Sequence, residues 1–381
     1  MRIHATCNDK SASRGGTRTI FGGSLQPMRT TTFLTVLASL GLGVLAFACS
    51  SESSSPPGSF NGSSGNASSS GGSSSGGSSS GATSSSGGSS GTPVGNETWA
   101  DGKQLTKSVE ITAGSTVEIT PGAKITCAPG VAITVKGTLS VKPGAAHAKI
   151  SCASWNGIVV ESGGTLDADG LDLENATTTI TTRGGNLAAK LTNGIITSPN
   201  NTPFSMQPGS KLAITKSVIT GGMSSIAGTF TASYMTYDKG TNEGLALADP
   251  AGTMTIADSV LKGSGGGDYV VSQQGKLVHV EYTTIAGAHC GFHFDSVDKF
   301  EIDHVTDDTN SYGTMLYGSG AGPNTISYSN FTNGTKDLDA QGTNGPIKVD
   351  HVHTSGKDSF SGVVPTITNK EANPVPNAKP R

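Results

Sequence analysis

From Val109 to about Ser355 the chain repeats itself roughly every 22 to 24 residues, a period that is typical of a solenoid. Each repeat contains a short strand pattern, a glycine turn, a second strand pattern, a polar residue and a third apolar stretch. A single repeat of this kind cannot bury its apolar face, so the repeats must stack on one another. This regularity constrains the fold more than any other feature of the chain.

The strand register can be predicted from alternation, because residues i and i+2 of a strand face the same side. First strands are predicted to begin near Val109, Ile133, Ile158, Ile180, Phe204, Ile226, Leu245, Tyr269, Phe292, Met315 and Leu338. The predicted inward pairs of the second strands are Leu166 and Ala168, Ala189 and Leu191, Leu212 and Ile214, Phe230 and Ala232, Met254 and Ile256, Val278 and Val280, Phe300 and Ile302, Ile326 and Tyr328, and Ile347 and Val349.

A residue two positions after each inward pair is predicted to bend the chain. These residues are Gly170, Asn193, Lys216, Tyr234, Asp258, Tyr282, His304, Asn330 and His351. Most are Gly, Asn, Asp or His, the types that best tolerate positive φ. A bend at the same point of every coil explains them without any chemistry.

These patterns predict an all-β fold, a single-stranded right-handed parallel β-helix of about 11 coils and roughly 50 Å in length. We expect the β-helix domain with its caps to span 96–369. Residues Asn96–Lys107, with Trp99, form the expected N-terminal cap, and Ser359–Ile367 are a candidate C-terminal cover. Residues 370–381 are polar and rich in proline, and are expected to form a disordered tail.

The N-terminal region indicates export. Residues 28–48 combine a short basic start, an apolar core and a small-residue cleavage site, which predicts a signal peptide. Residues 1–27 are interpreted as a misannotated extension, with a long basic leader region as the alternative. The segment resembles a bacterial lipoprotein signal, which implies lipidation of Cys49 and, through Ser50, an outer-membrane or cell-surface destination. It departs from that pattern at Ala46, where leucine is usual, and ordinary cleavage with secretion is the alternative.

Residues 49–95 are dominated by Ser and Gly and are predicted to form a flexible tether. A coil of this length has an r.m.s. reach of roughly 35–40 Å. Cys127 and Cys152 occupy equivalent places on adjacent coils, about 5 Å apart, so a disulfide is predicted, with two stacked thiols as the alternative. Cys290 is expected to be a buried small apolar residue.

Charge argues against a nucleic-acid partner. Residues 96–381 contain 20 Lys and Arg against 26 Asp and Glu, whereas phosphate binding requires a basic surface. The expected partners are the membrane, through the lipid anchor that the resemblance to a lipoprotein signal implies, and a polysaccharide or cell-surface glycan.

The stretch Thr138–Ala168, with GTLSVKPGA, Trp155-Asn156-Gly157-Ile158 and IVVESGGTL, resembles bacterial surface proteins of the right-handed parallel β-helix superfamily, also called pectate-lyase-like. The resemblance implies the fold and leaves the activity open, because members include lyases, hydrolases, adhesins and tailspikes. The lyases use a catalytic arginine, and after the signal segment this chain has only Arg183 and Arg381. The hydrolases carry several motifs on successive coils, of which only an Asp-Asp pair is present here.

The outward positions of the first strands also argue against an acidic catalytic cleft, since they are mostly apolar or neutral. They are predicted to be Val159, Thr181, Ser205, Ala246, Val270, His293, Leu316 and Asp339.

One region is richer in titratable groups. The candidate acid–base residues are His279, Glu301, His293, Asp295, Asp307 and Asp308, and the candidate calcium ligands are Asp295, Asp298, Asp307 and Asp308. His279 and Glu301 are predicted to be neighbours on adjacent coils. The alternative interpretation is a solvated face whose charged residues occupy turns.

The sequence thus favours a surface β-helix protein without enzymatic activity that presents a face to a glycan or another surface. No cofactor is expected, with calcium as the possible exception. Tyr234, Tyr237, Tyr282 and Tyr312 are candidate sugar-stacking residues. The alternatives are a polysaccharide lyase or glycoside hydrolase with its site around Asp295–Asp308, and a passive spacer.

Overall fold

The computed structural model of the protein describes residues 91–343 and 345–381. These residues form an all-β parallel solenoid of about 12 coils, with no helix. Each coil contributes up to three short strands, and every strand pairs in parallel with its equivalents on the neighbouring coils. The predicted signal peptide, Cys49 and nearly all of the predicted tether lie outside the described residues.

The strands fall into three stacks that run along the solenoid. The first-strand stack consists of Thr92–Val94, Val109–Ile111, Ala132–Val135, Gly157–Val160, Thr178–Thr182, Thr202–Met206, Ser224–Ile226, the start of Leu245–Ala257, the start of Val270–Glu281, Cys290–Phe294, Tyr312–Gly318, Lys336–Thr343 and Ser359–Phe360. The second-strand stack consists of Glu97–Trp99, Thr116–Ile119, Thr138–Val141, Thr165–Asp169, Ala188–Thr192, Lys211–Thr215, Thr229–Ser233, the ends of Leu245–Ala257 and Val270–Glu281, Lys299–Asp303, Asn324–Ser327, the start of Ile347–Thr354 and Thr366–Lys370. The third-strand stack consists of Gln104–Leu105, Lys124–Cys127, Ala148–Trp155, Leu171–Ala176, Ile195–Ser198, Val218–Gly221, Thr236–Asp238, Val260–Lys262, Thr284–Ala286, Thr306–Asp308, Asn330–Thr332 and the end of Ile347–Thr354.

The core is a set of apolar columns enclosed by the three stacks. In the third-strand stack, for example, Ile125, Ile150, Leu173, Ile196, Ile219, Tyr237, Leu261 and Ile285 follow one another in register. All are buried. Since strand residues alternate between inward and outward, the inward columns of each stack fill the interior while the outward columns lie on the outer face.

The predicted bend between the second and third strands is confirmed at eight of its nine positions, all of which have positive φ. The ninth assignment was wrong, because Tyr328 (φ 45°) makes the bend and Asn330 lies in a strand. The inward pair of that coil is Asn324 and Ile326, not Ile326 and Tyr328. Asn324 disrupted the apolar pattern, and it is accommodated because its Oδ1 accepts a hydrogen bond from the Phe300 N–H at 3.1 Å.

The predicted register of two first strands was wrong by one residue. Val271 and Met315, not Val270 and Leu316, belong to the outward column that contains His293. Both strands carry consecutive apolar residues, so alternation could not decide which residue faces the core.

The ends of the solenoid also differ from the sequence prediction. Residues 92–105 form a complete first coil, not a cap, and the buried Trp99 pairs in register with Ile119. The solenoid therefore begins within the segment assigned to the tether, which was expected to end at residue 95. At the other end, the predicted cover contributes Ser359–Phe360 and part of Thr366–Lys370, which extend the ladders of the last coils.

The C-terminal segment 371–381 is docked on the solenoid, contrary to the expected loose tail. His353 contacts the Glu371 carbonyl at 3.1 Å, and Asn330 exchanges hydrogen bonds with the Val375 backbone. Arg381 then makes a bidentate pair with Asp258, with both N···O distances 2.8 Å. We call residues 371–381 the strap, because they cross several coils. The sequence did not reveal it, since its partners Asn330 and Asp258 lie 45 and 123 residues from the strap residues that they bind.

The predicted disulfide between Cys127 and Cys152 is present, with the two Cα atoms 5.1 Å apart. It joins adjacent coils at the register that the repeat implied. Among the described residues there is no helix long and apolar enough to cross a membrane.

We expect a proline at Val280 to disrupt the ladder. Val280 is buried and pairs with Ile256 on one side and Ile302 on the other, so V280P removes an N–H from a strand that is paired on both sides. V280P should lower the free energy of unfolding by about 1–3 kcal/mol more than V280A, which loses side-chain volume but keeps the N–H. Denaturant unfolding of both variants tests this, and equal destabilisation would contradict it.

Candidate functional site

The coil geometry divides the charged region between residues 279 and 308 among different stacks. His293 and Asp295 lie at the end of a first strand, His279 and Glu301 on second strands, and Asp307 and Asp308 on a third strand. The predicted single site around Asp295–Asp308 is therefore not formed. The richest group of side chains is instead centred on Asp268, which the sequence analysis did not select.

Asp268 accepts three hydrogen bonds on the outer side of the first-strand stack. Its Oδ1 lies 3.0 Å from both His289 Nδ1 and the Cys290 backbone N, and its Oδ2 lies 2.5 Å from His293 Nδ1. His293 Nε2 in turn lies 3.2 Å from Asp295 Oδ1. His293 is thus held between two carboxylates.

The same contacts shift the pKa values of these groups. Burial by itself would raise the pKa of Asp268, but the hydrogen bonds from His289, His293 and Cys290 hold the pKa well below its ordinary value. The hydrogen bond to Asp268 raises the pKa of His289. Burial opposes the charged form of His293, yet Asp268 and Asp295 together raise its pKa. The arrangement therefore favours protonated imidazoles beside an ionised carboxylate.

Further groups surround this centre. Glu243 Oε2 accepts a hydrogen bond from the Asp268 N–H at 2.7 Å, and burial together with the charge of Asp268 raises the pKa of Glu243. Cys290 is buried, with its Sγ 3.3 Å from His289 Nδ1 and 3.1 Å from the sulfur of Met315. The group therefore combines carboxylate, imidazole and thiol side chains.

Two tyrosines complete the outer surface here. The Tyr312 ring lies 5.1 Å from the His289 ring, and the Tyr317 ring lies 5.3 Å from the His293 ring, both in tilted geometry. We call His289, His293, Tyr312 and Tyr317 the ring cluster. All four are partly exposed.

The predicted neighbours His279 and Glu301 do pair, with His279 Nδ1 2.8 Å from Glu301 Oε2. Lys299 Nζ lies 2.6 Å from the other oxygen of Glu301. Hydrogen bonds from Lys299 and His279 lower the pKa of Glu301 against the opposing effect of burial. This is an ion-paired surface group on a flat strand face.

The aromatic bend residues form a continuous stack along the solenoid. Tyr282, His304, Tyr328 and His351 follow one another with ring centroids 4.6, 5.0 and 4.7 Å apart and planes within 20° of parallel. The Arg381 guanidinium lies 3.9 Å above the Tyr282 ring, so the strap covers the end of this stack. Stacked rings have covered faces, and Tyr282 is therefore poorly placed to stack on a sugar.

The other predicted sugar-stacking tyrosines have different environments. Tyr237 is fully buried, and its hydroxyl hydrogen-bonds to the Gly222 carbonyl, so it cannot reach a ligand. Tyr234 is 49% exposed at its bend and stays available. Tyr312 belongs to the ring cluster.

Asp307 lies in the core, although the sequence analysis proposed it as a catalytic or calcium-binding residue. It occupies the inward column of the third-strand stack between Ile285 and Phe331 and is fully buried. Asn310 Nδ2 donates to Asp307 Oδ1 at 2.5 Å, and a methyl group at Gly291 would overlap the carboxylate. Burial raises the pKa of Asp307 well above its ordinary value, so the buried group is held as the neutral acid.

The four predicted calcium ligands are likewise not brought together. Asp295 and Asp298 are exposed beyond the end of a first strand, whereas Asp308 lies on the outer side of the third strand that buries Asp307. Among residues 91–343 and 345–381, the one group of three side chains placed to hold a metal ion is Asp268, Cys290 and His293.

Sequence reasoning missed Asp268 and Glu243 because both lie in the turns that precede strands and neither belongs to a recognisable motif. The signal that could have found them is the coil period itself. Residues 243, 268, 290 and 312 fall at successive equivalent positions, because Val270 pairs with both Leu245 and Phe292 in register. Extending the register into the turns would have placed Asp268 beside Cys290.

Comparisons with models of protein families, with curated proteins and with solved structures found no match. The assignment of the fold therefore depends on the strand pairing and register described above.

We expect Asp307 to make the solenoid less stable as pH rises. Its pKa is higher in the folded than in the unfolded state, so folding favours the protonated form. The stability gained at low pH is lost progressively above the ordinary value of 3.8, by up to about 1.4 kcal/mol per pH unit until the folded pKa is reached. D307N carries no titratable group and should show a flatter decline of Tm between pH 4 and pH 8.

The matched control is D308N, on the outer side of the same strand, which should stay within about 0.5 kcal/mol of the parent at every pH. Identical pH profiles for the parent chain and D307N would show that Asp307 is not held neutral.

Proposed function

We propose that this chain is an exported β-solenoid that is tethered to the cell surface and binds a glycan through the ring cluster. The observation that carries the proposal is the grouping of four partly exposed rings beside Asp268 and Asp295 on one outer face. Aromatic rings supply apolar surface for sugar rings, and the carboxylates and imidazoles supply acceptors and donors for hydroxyl groups.

The arrangement of the rings supports this choice of surface over the stack of bend residues. In that stack the rings lie within 20° of parallel and cover each other, and the strap covers one end. In the ring cluster the contacts are tilted by 47° and 57°, which leaves parts of the ring faces open.

A solenoid also suits a polymeric ligand, because its coils repeat along one axis as sugar units do. The outward column of the second-strand stack carries polar side chains, including Thr255 and His279. Such a face can accept an extended sugar chain without a deep pocket. It suits a binding function better than an enzymatic one, because many enzymes enclose the substrate and exclude water.

Export is supported by two independent features. Residues 28–48 have the composition of a signal peptide, and the Cys127–Cys152 disulfide is of a kind that persists in oxidising compartments. We propose that Cys49 carries the lipid and that the Ser/Gly-rich segment after it spaces the solenoid from the membrane.

A second candidate is acid–base cleavage of a polysaccharide. It is favoured by His293, which lies between Asp268 and Asp295 within hydrogen-bond reach of both and could pass a proton to a bound substrate. This candidate replaces the earlier one based on Asp307 and Asp308, because Asp307 is buried.

We expect the purified protein to be retarded by at least one polymer in affinity electrophoresis against neutral and acidic polysaccharides. Replacing both Tyr312 and Tyr317 by alanine should weaken that retardation about tenfold, since aromatic stacking contacts contribute about 0.5–1.5 kcal/mol each beyond buried area. The matched control is Y234A, which removes an exposed tyrosine from the column of bend residues and should bind normally.

The same incubations distinguish the candidates. Retention without new reducing ends or unsaturated products supports the binding function. Release of products that is lost in H293A would replace it with the enzymatic one. Retention that is equally weakened by Y234A would show that the ring cluster is not the binding surface.

We also expect Cys49 to determine membrane attachment. In a bacterial host that processes lipoproteins, the parent chain should incorporate labelled fatty acid and sediment with membranes, whereas C49S should do neither. Release of the parent chain as a soluble protein without label would favour ordinary signal cleavage.

A further inference from the structure

Three different metal-ligating side chains converge on the outer side of the first-strand stack. Asp268, Cys290 and His293 each offer one ligand atom, and these atoms all lie within 4.8 Å of one another. A tetrahedral zinc ion with bonds of about 2.0–2.3 Å separates its ligand atoms by roughly 3.3–3.8 Å. Shifts of about 1 Å would therefore close the three side chains around an ion. We propose that Asp268, Cys290 and His293 form a zinc-binding site.

The solenoid register builds this site. Val270 pairs with Phe292, which places Asp268 opposite Cys290 on the next coil. The Cys290 N–H donates to Asp268 Oδ1 at 3.0 Å and fixes the two residues relative to each other. His293 follows in the outward column, with its Nδ1 2.5 Å from Asp268 Oδ2. Cys290 and His293 lie on one strand, and Asp268 lies in the turn two residues before the neighbouring strand that pairs with it.

The donor atoms select the metal. Calcium and magnesium take oxygen ligands, so a thiol and an imidazole among three donors argue against both. Zinc accepts thiolate, imidazole and carboxylate together. Copper(I) prefers sulfur donors, and Met315 sulfur does lie 3.1 Å from Cys290 Sγ, but the central carboxylate favours zinc.

His289 is placed to act as the fourth ligand. Its Nδ1 lies 3.0 Å from Asp268 Oδ1 and 3.3 Å from Cys290 Sγ, so it touches two of the three ligands already. The carboxylate oxygen, ring nitrogen and sulfur atoms that make these short contacts are the atoms that would bind the ion. With His289 included, the ligand set is two imidazoles, one thiolate and one carboxylate.

The surrounding charges suit a cation. Once the imidazoles bind metal they are neutral, and the remaining charged groups are the Cys290 thiolate and the carboxylates of Asp268, Asp295 and Glu243. The nearby Lys239, whose Nζ donates to the Asn242 and Gly267 carbonyls, carries a single positive charge and so offsets only part of this negative charge. A divalent cation would neutralise the excess.

The site does not depend on the glycan-binding proposal and is tested without any polysaccharide. The full chain is freed of metal with a chelator and titrated with Zn²⁺ alone. We expect one equivalent to stay bound through gel filtration, measured as zinc per chain. With Co²⁺ in place of zinc, we expect a near-ultraviolet band from thiolate-to-cobalt charge transfer, which reports ligation by a cysteine in the unaltered protein.

Variants then assign the ligands. D268N, C290S and H293A should each lower zinc affinity more than tenfold in competition with a chromophoric chelator, and C290S should also abolish the cobalt band. H279A is the matched control, because His279 pairs with Glu301 in a similar histidine–carboxylate contact that lacks a cysteine. A variant with both C7S and C49S controls for metal binding by the cysteines of the N-terminal region. Both controls should bind zinc like the parent chain.

Four results would overturn the proposal. A zinc-to-chain ratio far below one after gel filtration would show that there is no site. Retained zinc without a cobalt–thiolate band would exclude Cys290 as a ligand. Equal binding by the parent, C290S and H293A would place the metal elsewhere. Copper binding that displaces zinc and persists in D268N would assign the site to a different metal.

Discussion

The hydrogen-bond ladder between coils is the constraint on which the rest of this structure depends. Each strand pairs with its equivalents above and below, so a residue's neighbours are set by the coil period and not by local sequence. The bend residues make this possible, because the same positive-φ turn at residues such as Asn193 and His351 returns the chain in register on every coil. Neighbouring coils are also joined by the Cys127–Cys152 disulfide, and several of them by the strap.

The ladder explains why polar residues are found in the interior as well as on the surface. Asp307 lies in an apolar column because its strand must keep the register of Ile285 and Phe331. Its Oδ1 accepts a hydrogen bond from Asn310 Nδ2, whereas its Oδ2 is buried without a partner, and the Asn310 backbone N–H in turn donates to Asn333 on the next coil. Burial keeps the carboxyl neutral, so a residue that looks catalytic in the sequence is a structural group in the fold.

The same ladder assembles the proposed functional groups from separate coils. Asp268, Cys290 and Met315 lie more than 20 residues apart in sequence yet are in contact, as are the rings of His293 and Tyr317 on successive coils. A binding surface and a metal site can therefore share one outer face. In both proposals the backbone supplies the positions, and only the outward side chains carry the chemistry.

The solenoid, most bends, the Cys127–Cys152 pair and the His279–Glu301 contact could be predicted from the sequence, because all follow from a regular period and alternation. The register was predicted wrongly at Val270 and Leu316, where consecutive apolar residues show no alternation. It was also predicted wrongly at Asn324, a polar residue that faces the core. The burial of Asp307, the docking of the strap and the contact of Asp268 with Cys290 and His293 became evident in the folded structure alone. These outcomes depend on turns and on contacts between distant segments, which no local pattern encodes.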